Sequence, residues 1–354
     1  MSLQDLGFTE SISEYLEKNN YNEFTPARVM LEHRERYVVS TGESEYEAEI
    51  TGNLRFTASS RSDFPAVGDW VAVKIYPNMA IIHHVLPRKS ILERQSVSKA
   101  GEKQVIAANV DVAFIVQSID NNFNINRLER YMTVCYSSGI LPVMVISKTD
   151  LAVGKEIDEA LRSVQASHAG LQIIALSNLT GEGLDMITEL MKKGITYCFM
   201  GSSGVGKSTL INNITGKNNL RTREISSSTN KGKHTTAHRE LIVLENGAIV
   251  IDTPGMREFG ITDDNDGIAA AFHEIKELAM KCRFSDCTHG DEKGCAVREA
   301  VEKGIIQAAS LENYKRLQRE QEHFSSTVAE KRRKDKAFGK MAKEILKEKK
   351  KNKF

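Results

Sequence analysis

Short apolar runs alternate with helix-like repeats through the middle of the chain. After Val105, four strand-like runs are separated by segments that carry apolar residues at helical spacing. The runs are VDVAFIVQS, LPVMVIS, LQIIALS and ITYCFM, and the helical segments are INRLERYMTVCYSSG, EIDEALRSVQASHAG and GLDMITELMKKG. The later stretch LIVLENGAIVIDTPG predicts two more strands joined by a turn at 245–247. Strands that alternate with helices predict an α/β fold, a mostly parallel sheet with helices on both faces.

The first hundred residues have a different pattern. Residues 1–35 show helical spacing from Ser11 to Lys18 and from Thr25 to Arg34, and Pro26 suits a first helical turn. From about Tyr37 to Arg94, the runs EYEAEITGNLRFTA, DWVAVKIY and MAIIHHVLPR predict four or five strands of a small β-barrel. An OB-fold, which binds nucleic acid on one face, is the natural candidate, and a barrel used only for packing is the alternative.

Composition and charge add a candidate partner to this picture. The 354 residues are 40% hydrophobic and 27% charged, which is typical of a globular protein with two or three domains. No apolar run is long enough to cross a membrane and no signal-peptide pattern opens the chain, so we expect a cytoplasmic protein. Residues 331–354 carry twelve Lys and Arg against three acids, a local charge of +9 that leaves −8 elsewhere. A basic tail favours a polyanionic partner such as RNA, and a solvated extension is the alternative.

A glycine-rich loop carries the strongest chemical signal. The sequence GSSGVGKS follows the run ITYCFM and precedes a helical segment, which is the context of a phosphate-binding loop. Its backbone N–H groups and the helix N-terminus would bind phosphate oxygens, while Lys207 would reach the β- and γ-phosphates and Ser208 would bind Mg²⁺. The residues predicted to surround the phosphates are Gly201, Ser202, Ser203, Gly204, Val205, Gly206, Lys207, Ser208 and Thr209.

A second motif, DTPG, ends the last predicted strand of the sheet. Asp252 would bind Mg²⁺ through water at the carboxyl end of that strand, and the N–H of Gly255 would contact the γ-phosphate. The motif is short, but at this distance after a phosphate loop it indicates a nucleotide hydrolase.

Two loops at the carboxyl ends of consecutive strands predict a guanine pocket. The first consists of Ser147, Lys148, Thr149 and Asp150. The Asp150 carboxylate can accept two N–H bonds from a guanine edge, and the Lys148 stem can lie along the base plane. In the second loop, a backbone N–H near Ser177 and Asn178 can meet the guanine oxygen. Because α/β sheets bind ligands at this edge, the two loops and the phosphate loop together favour a guanine nucleotide.

A cluster of cysteine and histidine follows the sheet. The spacing Cys282-x4-Cys287-x-His289-x5-Cys295 is typical of a Zn²⁺ site, and four protein ligands predict a structural ion without an open position. The segments DGIAAAFHEIKELAMK and AVREAVEKG predict helices on either side. Four unligated side chains are the alternative.

These motifs occur in the order base, base, phosphate, magnesium, which resembles the circularly permuted GTPases. The barrel before them and the Cys/His cluster after them resemble the RsgA (YjeQ) family of ribosome-small-subunit-dependent GTPases, over roughly residues 37–325. The resemblance implies Mg²⁺-dependent hydrolysis of GTP to GDP and phosphate. It also implies docking on the 30S subunit through 16S rRNA, stimulation there, and a role in late subunit maturation, with assembly factors as further candidate partners.

The resemblance also sets the expected organisation, that of a monomer without a membrane segment. We expect a helical extension at 1–35, an OB-like barrel at 36–100, a permuted GTPase domain at 101–265, a helical zinc-binding domain at 266–325 and a basic tail at 326–354. Two rival functions stay open. One is a GTPase that serves another RNA or an RNA-modifying partner, and the other is a non-enzymatic RNA-binding scaffold that GTP merely stabilises.

Two positions depart from common GTPase patterns. Ser147 stands where the base motif usually has Asn, and its shorter side chain predicts a weaker tie to the phosphate loop. Met256 follows Gly255 where Ras-type enzymes have a water-positioning Gln, so another group must act. The segment from Asn219 to Arg239 supplies the catalytic candidates beside Lys207: Thr235 and Thr236, which can cap Mg²⁺ and the γ-phosphate, and His234, the family-like candidate for orienting water. An exposed loop histidine is the alternative for His234.

Overall fold

One continuous sheet joins the two halves of the chain. The computed structural model describes residues 1–33, 36–95, 103–120, 123–216, 239–252 and 265–322, and within these ranges eleven strands belong to that sheet. Five of them close a small barrel near the N-terminus, and six form the sheet of an α/β domain.

The barrel begins earlier in the chain than the pattern predicted. Its elements and the preceding helix are α1 (Glu10–Lys18), β1 (Thr25–His33), β2 (Arg36–Ser40), β3 (Glu45–Ile50), α2 (Gly52–Thr57), β4 (Trp70–Tyr76) and β5 (Met79–Val85). Strand β1 pairs with both β2 and β4, while β3 pairs with β2 and, in parallel, with β5. With β4 paired to β5 the ring is closed around buried aliphatic side chains such as Val29, Val39, Val71 and Ile82. The predicted OB-like barrel is therefore confirmed.

The helix predicted from Thr25 to Arg34 is wrong, because residues Thr25–His33 form strand β1. The four consecutive residues 27–30 are all buried, since the strand is covered on both faces. Ala27 and Val29 face the barrel core, whereas Met30 packs in the core of the α/β domain. A short run that is buried on two sides has no amphipathic period, so a helix and a strand look alike in sequence.

The run EYEAEITGNLRFTA is also more than a strand. Strand β3 ends at Ile50, and residues Gly52–Thr57 form helix α2. The Thr51 hydroxyl caps this helix by accepting from the Leu54 N–H at 3.1 Å. After the barrel, β6 (Ile91–Gln95) and β7 (Lys103–Ala108) pair with each other in a separate antiparallel ribbon.

The predicted alternation of strands and helices is confirmed in the α/β domain. Its elements are β8 (Val112–Ser118), α3 (Ile125–Ser137), β9 (Leu141–Ser147), α4 (Glu156–Ser167), β10 (Ile173–Ala175), α5 (Leu184–Leu190), β11 (Thr196–Met200), α6 (Lys207–Thr215), β12 (Arg239–Val243) and β13 (Ile249–Asp252). The strand order is β10-β9-β8-β11-β13-β12, and every neighbouring pair is parallel except β13 with β12. Alternate residues of β8 belong to two different cores, one shared with α3 and α4 and the other with α5 and α6.

The barrel and the α/β domain share a strand pairing. Strand β1 lies antiparallel to β12, with Leu31 opposite Glu240 and Glu32 opposite Arg239. The Arg239 guanidinium bonds to the Val105 carbonyl at 3.1 Å and pairs with Glu32 at 3.4 Å. The edge strand β12 of the α/β domain is thus covered by the barrel.

A buried arginine reinforces this junction. Arg28 on β1 is 1% exposed, and burial lowers its pKa to about 10. Its guanidinium donates to three backbone carbonyls and one hydroxyl, those of Leu6, Gly68, Asn109 and Thr196. These groups come from the N-terminal segment, the barrel and the α/β domain. One side chain therefore bonds to all three parts. Removing it would leave buried carbonyls without a hydrogen-bond donor, which would lower the free energy of unfolding.

A group of helices after the sheet packs on α3. They are α7 (Asn265–Ala271), α8 (His273–Ala279), α9 (Ala296–Glu302) and α10 (residues 308–322). Gly267 of α7 touches α3 so closely that a Cβ there would lie 1.8 Å from the Ser137 hydroxyl. Glu129 of α3 is fully buried and accepts hydrogen bonds from Ser310 and Asn313 of α10. Polar contacts as well as apolar packing therefore fix this helical region to the sheet domain.

Within the described ranges, none of the helices combines the length and the apolar character that crossing a membrane requires.

Candidate nucleotide-binding site and metal centre

The glycine-rich loop connects the end of β11 to the start of α6. Gly201, Gly204 and Gly206 have φ values of 145°, 84° and 90°, in the region that favours glycine. A Cβ at Gly201 would lie 2.2 Å from the Val116 carbonyl oxygen on the neighbouring strand β8, so no larger residue fits without displacing the backbone. The loop thus has the strand-before, helix-after geometry of a phosphate-binding loop.

The lysine of this loop lies over its backbone. Lys207 Nζ donates to the carbonyls of Gly201 at 2.7 Å and Ser202 at 2.6 Å. Ser208 follows it in the first turn of α6, and Asp252 ends the strand β13, which lies next to β11. The sequence motifs are therefore brought to one edge of the sheet.

The donor set at this edge fits Mg²⁺, which prefers oxygen ligands and binds through one or two carboxylates. Asp252 is only 9% exposed, and no hydrogen bond to its carboxylate occurs within the described residues. Burial raises the pKa of Asp252 to about 6, the Glu240 carboxylate adds to the increase, and Lys207 opposes it. A cation beside this carboxylate would offset the cost of its burial. Ser208 and Asp252 are thus suited to hold Mg²⁺ together with a nucleotide phosphate.

The first base loop contacts the phosphate loop directly. Ser147 is fully buried at the end of β9, and its hydroxyl donates to the Val205 carbonyl at 2.6 Å. The serine therefore reaches the phosphate loop in spite of its short side chain, which differs from the weak tie expected from the sequence. Lys148 has φ 60° and begins the turn that contains Thr149 and Asp150. The Thr149 N–H donates to the Leu176 carbonyl at 3.2 Å, which joins this turn to the second base loop.

The second base loop follows β10 and holds Asp150 in place. The Ser177 hydroxyl donates to one Asp150 carboxylate oxygen and accepts from the backbone N–H groups of Leu179 and Thr180, each at 3.2 Å. Asn178 Nδ2 donates to the Gly206 carbonyl at 3.1 Å. Each base loop therefore bonds to a residue of the phosphate loop, and the three loops line one edge of the sheet.

Two side-chain contacts at this edge of the sheet were not predicted from the sequence. Sequence reasoning assigned the second loop a backbone role, whereas the Asn178 amide side chain bonds to the phosphate loop. It also overlooked Asp120, which pairs with Lys148 at 3.1 Å and accepts from Ser118 at 2.7 Å. The available signal was position: Asp120 lies just after β8, at the same carboxyl edge as the two base loops.

Several predicted site residues lie outside the described ranges. They are His234, Thr235, Thr236 and Gly255, and the basic tail at 331–354 lies outside as well.

The four predicted metal ligands lie together between α8 and α9. The ligand atoms of Cys282, Cys287, His289 and Cys295 all fall within 4.8 Å of one another. His289 Nδ1 lies 3.7 Å from the Cys282 sulfur and 3.4 Å from the Cys295 sulfur, and those two sulfurs are 3.9 Å apart. A tetrahedral ion with metal–sulfur bonds of about 2.3 Å requires sulfurs roughly 3.8 Å apart. The cluster could therefore hold one metal ion.

Local backbone supports this cluster. The backbone N–H groups of Val297 and Ala296, at the start of α9, favour the thiolate form of Cys282. Burial opposes ionisation, but these N–H groups and the neighbouring Cys287 and Cys295 thiols together outweigh it and lower the pKa of the Cys282 thiol. Cys295 caps the same helix by accepting from the Arg298 N–H at 3.4 Å. The start of α9 therefore favours the thiolate of Cys282, the form in which cysteine binds metals.

Comparison with known proteins agrees with this geometry. Residues 85–262 match the family described as RsgA GTPase. A protein of Lactiplantibacillus plantarum named small ribosomal subunit biogenesis GTPase RsgA 2 is 43% identical over 321 residues, 90% of this chain and 89% of its own. The chain belongs to the RsgA GTPase family. A similarly named RsgA 1 of Bacteroides thetaiotaomicron is 38% identical over 97% of this chain and 96% of its own.

Two solved structures have a similar fold. The crystal structure of YjeQ from Thermotoga maritima is similar with a TM-score of 0.62 and 27% identity, over 82% of this chain and 95% of that one. YloQ, described as a circularly permuted GTPase, gives a TM-score of 0.62 over 86% of this chain and 97% of its own, at 21% identity. The fold class and the GTP hydrolase activity predicted from the sequence are thus confirmed for this RsgA family member.

The cluster of three cysteines and one histidine predicts one bound metal ion per chain. Cys282→Ser should lose that ion and increase hydrogen exchange in residues 280–302, because a structural metal contributes on the order of 10 kcal/mol to folding small domains. Plasma mass spectrometry of the purified protein and peptide-level exchange would measure both. Cys135→Ala, which removes a buried thiol that is not part of the cluster, should keep the metal. Full metal content in Cys282→Ser would contradict the assignment.

Proposed function

We propose that this protein is a GTPase of small-ribosomal-subunit biogenesis, which binds the 30S subunit through 16S rRNA and hydrolyses GTP faster when bound. The observation that carries the proposal is the extent of the similarity. The two relatives described above, which are named for this role, match at 38% and 43% identity over at least nine-tenths of the chain, so the barrel, the GTPase domain and the metal cluster match together.

The arrangement of the three loops supports guanine nucleotide binding. In our proposal the Asp150 carboxylate accepts from the guanine edge, with Ser177 fixing its orientation. Lys148 lies along the base, positioned by Asp120. The phosphates lie on the backbone N–H groups of residues 201–206 and the N-terminus of α6, and Lys207 turns to the β- and γ-phosphates.

Hydrolysis requires charge neutralisation and an oriented water. Mg²⁺, when bound, would neutralise charge on the phosphates, and Ser208 and Asp252 would hold it together with Thr235 or Thr236. Because Met256 cannot polarise water, we assign water orientation to His234. The γ-phosphate would be contacted by the N–H of Gly255. Slow intrinsic hydrolysis follows if His234 adopts its active position only on the partner.

For the Cys/His cluster we propose Zn²⁺ as the resident ion. Three sulfurs and one imidazole suit this ion, and four protein ligands leave no position for a substrate. The ion then stabilises the loop between α8 and α9, which is joined to the GTPase domain through α7 and α10.

We assign RNA contact to the OB-like barrel and to the basic residues 331–354. We also propose that the protein is a cytoplasmic monomer, with assembly factors on the subunit as further candidate partners. Phosphate contacts of this kind weaken steeply with salt.

Purified small subunits should stimulate GTP hydrolysis by on the order of 10-fold or more, because a partner that completes a GTPase site acts on turnover. Phosphate release measured with and without 30S particles, with 50S particles as a polyanionic control, tests this. Lys207→Ala serves as the inactive control. An unchanged slow rate with 30S particles would favour action on another RNA or a scaffold role.

His234→Ala should lower subunit-stimulated turnover by about 100-fold while GTP affinity changes little, because a residue that orients water acts mainly in the transition state. Stimulated kcat and equilibrium GTP binding would be measured on the same preparation. His273→Ala, an exposed histidine on α8, is the control and should match the unmodified protein. Equal losses in affinity and turnover would count against the assignment.

Asp150→Asn should weaken GTP binding by about 100-fold and favour XTP instead. The amide oxygen can still accept from Ser177, so the NH₂ group faces the base and can donate to the xanthine oxygen. Competition binding of GTP and XTP measures the change, with the exposed Asp158→Asn on α4 as control. Retained GTP preference would place the base pocket elsewhere.

A further inference from the structure

A second carboxylate stands beside Asp252. Glu240 on β12 lies directly opposite Asp252 on β13 in their antiparallel pairing. Side chains of directly opposed residues project to the same face, with Cβ atoms about 5 Å apart. The two carboxylates are therefore neighbours at the edge of the sheet that carries the phosphate loop.

Within the described part of the chain this pair is only partly compensated, by the electrostatic effect of Lys207 on Asp252. Neither the Glu240 carboxylate, which is exposed, nor the Asp252 carboxylate, which is nine-tenths buried, has a hydrogen bond or ion pair within the described ranges. Lys207 Nζ is bonded to carbonyls of its own loop. Like charges placed directly opposite destabilise a strand pair, and two carboxylates beside one lysine leave a net negative charge that a further cation would offset.

The nearest arginine on the same strand points the other way. Arg239 precedes Glu240, and successive side chains of a strand project to opposite faces. The Arg239 guanidinium is held by Glu32 and by the Val105 carbonyl, on the face away from Asp252. Glu240 is thus the charged side chain of β12 that shares the face of the predicted Mg²⁺ position.

We propose that Glu240 is a positioning residue for the magnesium–nucleotide complex: together with Asp252 it holds water molecules of the Mg²⁺ shell and raises the affinity of the site for the ion. The inference rests on the proposed binding of a guanine nucleotide and Mg²⁺ at the phosphate loop. Mg²⁺ keeps several waters when it binds a protein, and carboxylates that accept from those waters fix its position. Outer-shell partners of this kind typically change metal affinity by 10- to 100-fold.

The test is the Mg²⁺ dependence of GDP release. The dissociation rate of a fluorescent GDP analogue would be measured over free Mg²⁺ from micromolar to millimolar for the full chain. Glu240→Gln should raise the Mg²⁺ concentration for half-maximal retention by about 10-fold and leave the release rate at saturating Mg²⁺ unchanged. Glu240→Asp should recover part of the shift. Glu245→Gln, at the opposite end of the same hairpin, is the matched control and should show no shift.

The outcomes separate this inference from the proposed function. If the unmodified protein binds no GDP, or releases it at a rate independent of Mg²⁺, the proposed nucleotide site fails and the inference with it. If the unmodified protein depends on Mg²⁺ and Glu240→Gln has the same midpoint, the inference alone is overturned. Faster release from Glu240→Gln even at saturating Mg²⁺ would overturn it too, because that result indicates a structural role.

Discussion

Two hydrogen bonds between loops hold the nucleotide site together. The Ser147 hydroxyl donates to the Val205 carbonyl, and the Asn178 amide donates to the Gly206 carbonyl. The phosphate loop is glycine-rich and packs in the core through Val205, so the rest of its shape depends on such neighbours. Each bond starts at the carboxyl end of a different strand, and the parallel sheet brings those ends to one edge. The pocket therefore depends on the strand order rather than on the order of motifs along the chain.

That dependence explains how the permuted sequence is tolerated. The base loops precede the phosphate loop by tens of residues, yet β8 and β13 lie on either side of β11 as a phosphate-binding strand requires. What would be an exposed edge at β12 is covered by strand β1 of the barrel. The barrel thus completes the sheet, and Arg28 bonds the two bodies and the N-terminal segment through one buried guanidinium. A partner that binds the barrel is thereby connected to the strand that carries Glu240.

Much of this architecture could be predicted from the sequence because the signals were local. The glycine loop, the DTPG motif and the Cys/His spacing each encode their chemistry within a few residues. In the α/β domain, apolar runs alternate clearly with segments that carry apolar residues at helical spacing. Strand β1 could not be predicted, because Ala27, Arg28, Val29 and Met30 are all buried by partners distant in sequence. The reach of Ser147 and the role of the Asn178 side chain were equally hidden, since both depend on how closely two loops approach after folding.

The most direct test of this account is a crystal structure of the protein with Mg²⁺ and a non-hydrolysable GTP analogue, in which the distance from the guanine N1 and N2 atoms to the Asp150 carboxylate is measured. The account predicts hydrogen-bond distances there while the triphosphate of the same molecule lies on residues 201–208. A nucleotide whose phosphates occupy that loop while its base lies away from the Ser147 and Ser177 loops would contradict it.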